Sequence, residues 1–167
     1  MKPPKPSEIV KFYGNPDTNG DGQPDPKWEA ANLIYIVPPY RMQWSWGGEC
    51  KRIRVHKKCA DSLLRCLTKI GQEFDVKART YYQLDRCGGG YTFRPIRGVS
   101  DRLSMHAYGA AIDLAPELNP LGHKWYPNGY RMMPEEVVKI FADEGWYFGG
   151  LFRRPDCQHM EYVDRTT

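Results

Sequence analysis

Three residues are of the types, and in the settings, that hold a catalytic metal ion. His106 and Asp113 flank a small-residue turn in Ser104-Met-His-Ala-Tyr-Gly-Ala-Ala-Ile-Asp113, and His159 lies far downstream in Asp156-Cys-Gln-His-Met-Glu161. Two neutral imidazoles and a carboxylate can bind zinc while a fourth position stays open for water. Asp156, three residues before His159, is then free to act as a base. Any one of these residues alone would pass as an ordinary polar side chain. Together they do not: a carboxylate inside Ala-Ala-Ile-Asp-Leu-Ala and a histidine beside Asp-x-x-His bury costly polarity unless paired or metal-bound.

The local sequence suggests how the three converge. Gly109-Ala-Ala-Ile-Asp-Leu-Ala reads as a short buried strand whose small residues allow close backbone approach, placing Asp113 on a rigid strand and His106 on the loop entering it. Gln158-His-Met-Glu-Tyr-Val reads as a second strand. Its alternation puts His159 and Glu161 on one face, so Glu161 is expected to orient an imidazole from outside rather than to bind metal.

The pattern Ser-x-His-x-Tyr-Gly-x-Ala-x-Asp, followed by Gly-Trp-x-Phe-Gly-Gly and Asp-x-x-His-x-Glu, resembles the zinc D-Ala-D-Ala carboxypeptidase and L-Ala-D-Glu endopeptidase family, which cuts bacterial peptidoglycan stem peptides. The resemblance covers roughly residues 50 to 163, and three motifs in the family order make it far more specific than a lone His and Asp pair. It implies zinc held by His106, Asp113 and His159, with Asp156 as catalytic base. It also implies that Arg94 holds the scissile carbonyl oxygen and that Ser104 and Tyr108 face the substrate. An isolated arginine is usually a surface charge, and only the resemblance lifts Arg94 above its neighbour Arg97. Phe148 and Met160 depart from the family's usual Trp and Phe, which bears on substrate fit and leaves the ligands intact. Asp rather than Glu at position 156 is similar to the endopeptidase branch, so the resemblance leans toward an L-alanyl-D-glutamate bond. A D,D- or L,D-carboxypeptidase of the same family is the rival, and a wall-binding module without catalysis is an alternative of another class.

At 167 residues the chain is expected to form one domain, 1–167, with residues 1–50 as an N-terminal extension and 51–167 as the catalytic core. Lysine and arginine exceed aspartate and glutamate by 24 to 20, a modest excess that suits an anionic partner. No block of like charge forms a binding tail, which argues against nucleic acid. Met-Lys-Pro-Pro-Lys-Pro-Ser carries no apolar run, and no later stretch approaches a membrane span. The expectation is a monomer made in a host cytoplasm without a signal peptide and acting on the wall after release, as a phage endolysin does. Five cysteines are an odd number, and Cys59 and Cys66, two helical turns apart, are too distant to bridge, so reduced thiols are expected.

Asp17-Thr-Asn19-Gly-Asp21-Gly-Gln-Pro-Asp25 spaces its oxygens like a calcium loop, although Trp28 stands where a bidentate Glu belongs and Pro24 and Pro26 argue against a flanking helix. Asp17, Asn19, Asp21 and Asp25 are thus candidate calcium ligands, against the plainer reading of an Asx-rich turn. The spacing of Leu63, Leu64, Leu67, Ile70 and Phe74 predicts a helix over 56–74, with His56 as a solvated residue at its start rather than a fourth ligand. Residues 31–37 read as a strand; 77–83 and 91–96 read as two strands around a glycine turn at 85–90; 134–144 reads as a helix; and Trp146 opens a last strand-like run. His123 reads as an exposed loop residue, and Trp44 and Trp46 as packing for the extension. The fold class this predicts is α+β: a small antiparallel sheet carrying the zinc site, backed by helices 56–74 and 134–144, with the first fifty residues wrapped outside.

Overall fold

The computed structural model describes residues 1–166. In chain order its elements are α1 (Ile9–Tyr13), α2 (Pro26–Asn32), β1 (Leu33–Ile36), β2 (Gln43–Trp44), β3 (Ile53–His56), α3 (Lys57–Glu73), α4 (Val76–Tyr81), β4 (Arg86–Gly89), β5 (Pro95–Ile96), β6 (Val99–Leu103), β7 (Ala111–Leu114), α5 (Glu135–Asp143), β8 (Tyr147–Phe148) and β9 (His159–Glu161). The mixture of helices and small sheets is the α+β class. The central sheet has the order β2-β4-β7-β9-β8 and is mixed rather than wholly antiparallel, because β2 runs parallel to β4. Two hairpin-like pairs stand beside it, β1 with β3 and β5 with β6. No helix among the described residues is long and apolar enough to cross a membrane.

Helix α3 forms where the 3.6-residue stripe placed it. Cys59, Leu63, Cys66, Leu67 and Ile70 are fully buried, and Ser62 accepts a hydrogen bond from Trp146 Nε1 at 2.8 Å, locking the helix to the run that follows α5. All five cysteines are buried thiols.

The first fifty residues do not wrap around the outside. Tyr13, Trp28, Leu33, Ile36, Met42 and Cys50 belong to the same core as β7 and β9, and β2 is a strand of the central sheet. The Tyr13 hydroxyl donates to the Tyr162 carbonyl at 2.6 Å, and Trp28 Nε1 donates to the Tyr13 carbonyl at 2.9 Å. Aromatic rings with one polar edge bury well only when that edge finds a partner, and here each does. Trp44 is half-buried on β2 and stacks on the exposed Trp46 at 4.8 Å.

Two segments differ from expectation. Residues 77–83 carry Thr and Tyr, yet Asp75 caps the amide of Ala78 at 2.8 Å and starts helix α4 instead of a strand. The glycine run expected as a turn supplies strand β4. Gly88 is required there because a Cβ on it would lie 2.9 Å from the Asp113 Cβ, so glycine marks close backbone approach in a strand.

His56 is neither solvated nor a ligand. It is completely buried at the junction of β3 and α3, where Nδ1 accepts from the Lys58 amide at 3.1 Å and Nε2 lies 3.2 Å from the Tyr13 carbonyl. Those partners select the neutral tautomer with the proton on Nε2, and burial, ahead of the nearby Lys58 and Lys57 charges, depresses the imidazole from 6.5 to about 4. The unfolded chain therefore takes up a proton first as the pH falls, and this contribution to stability is present above 6.5 and lost toward about 4. The melting temperature of the protein should fall across that interval. His56→Asn, which keeps a capping side chain, should start lower and show a shallower fall; an unchanged slope would show that His56 does not set it.

Candidate metal centre

The site is assembled on two neighbouring strands and one turn. Asp113 on β7 and His159 on β9 are direct register partners in the antiparallel pair, so their side chains share a face. His106 arrives from the turn Met105–Tyr108, which Ser104 caps by accepting the His106 amide at 3.3 Å and which Gly109 ends with φ of +67°. Only glycine fits that end: a Cβ there would sit 2.7 Å from the His56 backbone nitrogen.

His106 Nε2, Asp113 Oδ1 and His159 Nδ1 lie 3.0 to 3.2 Å from one another. They form the one group of three or more potential metal-ligating side chains that converge among the described residues. Ligands about 2.0–2.1 Å from a tetrahedral zinc are separated by about 3.3 Å, so the spacing fits such an ion. The outer partners fit as well. His106 Nδ1 faces the Gly90 carbonyl at 2.6 Å and His159 Nε2 faces Glu161 Oε2 at 3.1 Å, which holds the protons on the far nitrogens and turns both lone pairs inward. Three acceptors aimed at one point repel unless a cation occupies it. In the metal-free chain a proton can take that place: burial lowers the His159 imidazole, but Asp113 and Glu161 outweigh it and raise it to about 10. Burial likewise raises the Asp113 carboxyl, and His106 and His159 reverse this, holding it well below the usual carboxylate range.

Glu161 is buried, lies against His159 Nε2 and is itself paired with Arg165. Asp156 is brought to the site by Gly149, whose carbonyl accepts the Asp156 amide at 2.9 Å; a Cβ on Gly149 would lie 2.6 Å from the Asp156 carbonyl oxygen. Asp156 Oδ1 is buried without a hydrogen-bond partner. Burial, reinforced by the Asp113 charge against the pull of His159, raises its carboxyl above the usual range. A carboxyl with one buried oxygen unpartnered and a raised pKa, lining a cleft, is a candidate for acid-base chemistry.

Arg94, Ser104, Tyr108, Asp113, Asp156 and His159 line one cavity of about 980 Å³. The half-buried Arg94 guanidinium is weakened as an acid-base cation by burial first and by Arg97 next, and it lies within the field of Asp113 and Asp156. Sequence reasoning missed that residues 6–17 also border this cavity, along with Phe152 and Gln158. Phe148 and Met160, the two departures from the family pattern, are register partners buried in the core, so their bulk serves packing.

The calcium expectation finds no support. Asp17 accepts the amides of Asp21 and Gly22 at 3.1 and 3.0 Å, Asp21 accepts the amide of Gln23, and Asp25 accepts Lys27 at 2.8 Å as the N-cap of α2. These are Asx-turn and capping bonds. Pro26 opens α2 rather than forbidding it, since the first helical position needs no amide proton.

Ligand types and convergence together give three residues that could hold a metal ion, with the Asp156 carboxylate lining the same cavity. Residues 98–162 match the model of a family described as D-alanyl-D-alanine carboxypeptidase, which supports the family that the motifs resemble and points to a hydrolase. Arg94 and residues 1–97 lie outside the match. Comparisons with curated proteins and with solved structures found no match.

Proposed function

We propose that the protein is a zinc peptidase that cleaves peptidoglycan stem peptides at an internal L-alanyl-D-glutamate bond. The observation that carries this reading is the convergence of three lone pairs at the wall of one cavity that Asp156, with its Oδ1 buried and unpartnered, also lines. His106, Asp113 and His159 would hold the ion, which when bound supplies a Lewis acid that acidifies water and polarises a carbonyl. Asp156 accepts the proton of the attacking water and returns it to the nitrogen of the leaving amine. Arg94 donates to the oxygen of the scissile carbonyl as negative charge grows there. Ser104 and Tyr108 line the substrate side, and Glu161 keeps the His159 proton on Nε2.

A cavity of about 980 Å³ is larger than a terminal dipeptide needs, which together with Asp at position 156 favours an internal bond. The description of the matching family favours the second reading, removal of a terminal D-alanine. We extend the first reading to an endolysin acting on the wall after release; the modest basic excess of 24 to 20 supports it. Digestion of purified peptidoglycan with the zinc-loaded protein, read by product masses, tests both. New D-glutamate amino termini are expected. Release of free D-alanine would establish the second reading, and intact stem peptides would overturn both.

A further inference from the structure

Four guanidiniums at the cavity have no carboxylate partner among the described residues. Arg97, at the turn between β5 and β6, Arg102 on β6, and Arg153 and Arg154 in the loop leading to Asp156 are exposed and line the cavity that Asp113, Asp156 and His159 share. None of the four lies within ion-pairing distance of a carboxylate among the described residues. Some other arginines do find carboxylates: Arg54 with Glu29, Arg65 with Glu144 and, at the cavity itself, Arg165 with Glu161. Five carboxylates also line the cavity, but none of them pairs with the four: Asp113 and Glu161 face imidazoles and Arg165, Asp156 stands as the base, and Asp17 and Asp101 lie beyond ion-pairing distance of the four guanidiniums. Arg94 sits close enough to Arg97 for the two charges to disfavour each other. Like charges gathered at a cleft and left unneutralised raise the local concentration of anions. A guanidinium pairs with a carboxylate through two parallel hydrogen bonds, which adds geometry to charge.

We propose that Arg97 and Arg102 of the β5–β6 hairpin, with Arg153 and Arg154 of the loop before Asp156, form a subsite for free carboxylates of the substrate that lie outside the bond being cut. The inference rests on the peptidase reading and specifies its substrate as an acidic peptide. A nucleic acid fits less well. The four residues border a cavity around a metal cluster rather than tracking an extended groove with stacking rings.

The test uses the zinc-loaded protein and a variant carrying Arg97→Gln, Arg102→Gln, Arg153→Gln and Arg154→Gln. Both are given a stem peptide with its carboxylates free and the same peptide with them amidated. For the variant, kcat/KM on the free acid should fall by at least about tenfold, with zinc content unchanged and cleavage of the amidated peptide little altered. In the wild type, added salt should narrow the preference for the free acid. Equal loss on both peptides, or no loss on either, would overturn the subsite. Calorimetric titration of both peptides supplies a reading independent of catalysis. If the wild type cleaves neither peptide, the peptidase reading falls, and the affinities judge the subsite alone: a tenfold preference for the free acid that the variant loses supports it, and equal affinities refute it.

Discussion

His159→Ala is expected to emerge from gel filtration essentially free of zinc and inactive, an effect as large as any single substitution in this chain should give. His159 supplies Nδ1 to the converging triad, pairs in register with Asp113 and is gripped from behind by Glu161. Removing an outer partner of a metal ligand typically costs about 10–100-fold in affinity, so removing the ligand should cost more. Asp113→Ala and His106→Ala should behave alike, and Glu161→Gln should be intermediate. The metal-free protein gives a further reading. With His159 raised to about 10, its imidazole carries a proton through the neutral range, and an entering ion must displace it. Zinc affinity should therefore rise with pH below about 10, and the heat of binding should depend on the ionisation enthalpy of the buffer. Full zinc stoichiometry in His159→Ala would refute the ligand assignment.

Asp156→Asn should separate chemistry from metal binding. The carboxylate is not one of the three converging groups, so the variant should retain zinc, while turnover should fall by about 10²–10⁴-fold, the usual contribution of general acid-base catalysis. The pH profile carries the same signature. Because burial raises the Asp156 carboxyl, the base becomes protonated at a higher pH than an exposed aspartate, and the rate should decline as the pH falls through that raised value. Zinc content measured at each pH guards against confusing this decline with loss of the ion. An Asp156→Asn enzyme of ordinary rate, or one without metal, would remove Asp156 from the role of base.

The convergence of His106, Asp113 and His159 was legible because these are residue types that a buried strand otherwise excludes. Asp113 inside an alanine and isoleucine run had no bland explanation, and the alternation that paired His159 with Glu161 is a property of any strand. Helix α3 was legible from one apolar stripe. The misreadings of His56 and of the glycine run share a cause: the deciding contact came from elsewhere in the chain. Lys57, Lys58 and Arg54 made His56 look solvated, but Tyr13, forty-three residues away in sequence, closes over it. Gly88 and Gly89 looked like a turn because strand propensity takes no account of the Asp113 side chain they must accommodate. Asp75 could have signalled helix α4, since an aspartate ahead of a run without Gly or Pro is an N-cap pattern. The arginine rim had no sequence signature, because Arg97 and Arg154 meet only through the cavity.

The register of β9 has a consequence for how the protein is made correctly. His159 and Glu161 point toward the cavity while Met160, completely buried, points into the core opposite Ile112. A slip of one residue would send Met160 into the polar site and bury His159 among apolar side chains, since strand faces alternate. A slipped molecule would present one ligand too few to retain the ion. On the proposed zinc reading, the capacity of a preparation to take up the ion would report how much of it has paired β9 in register.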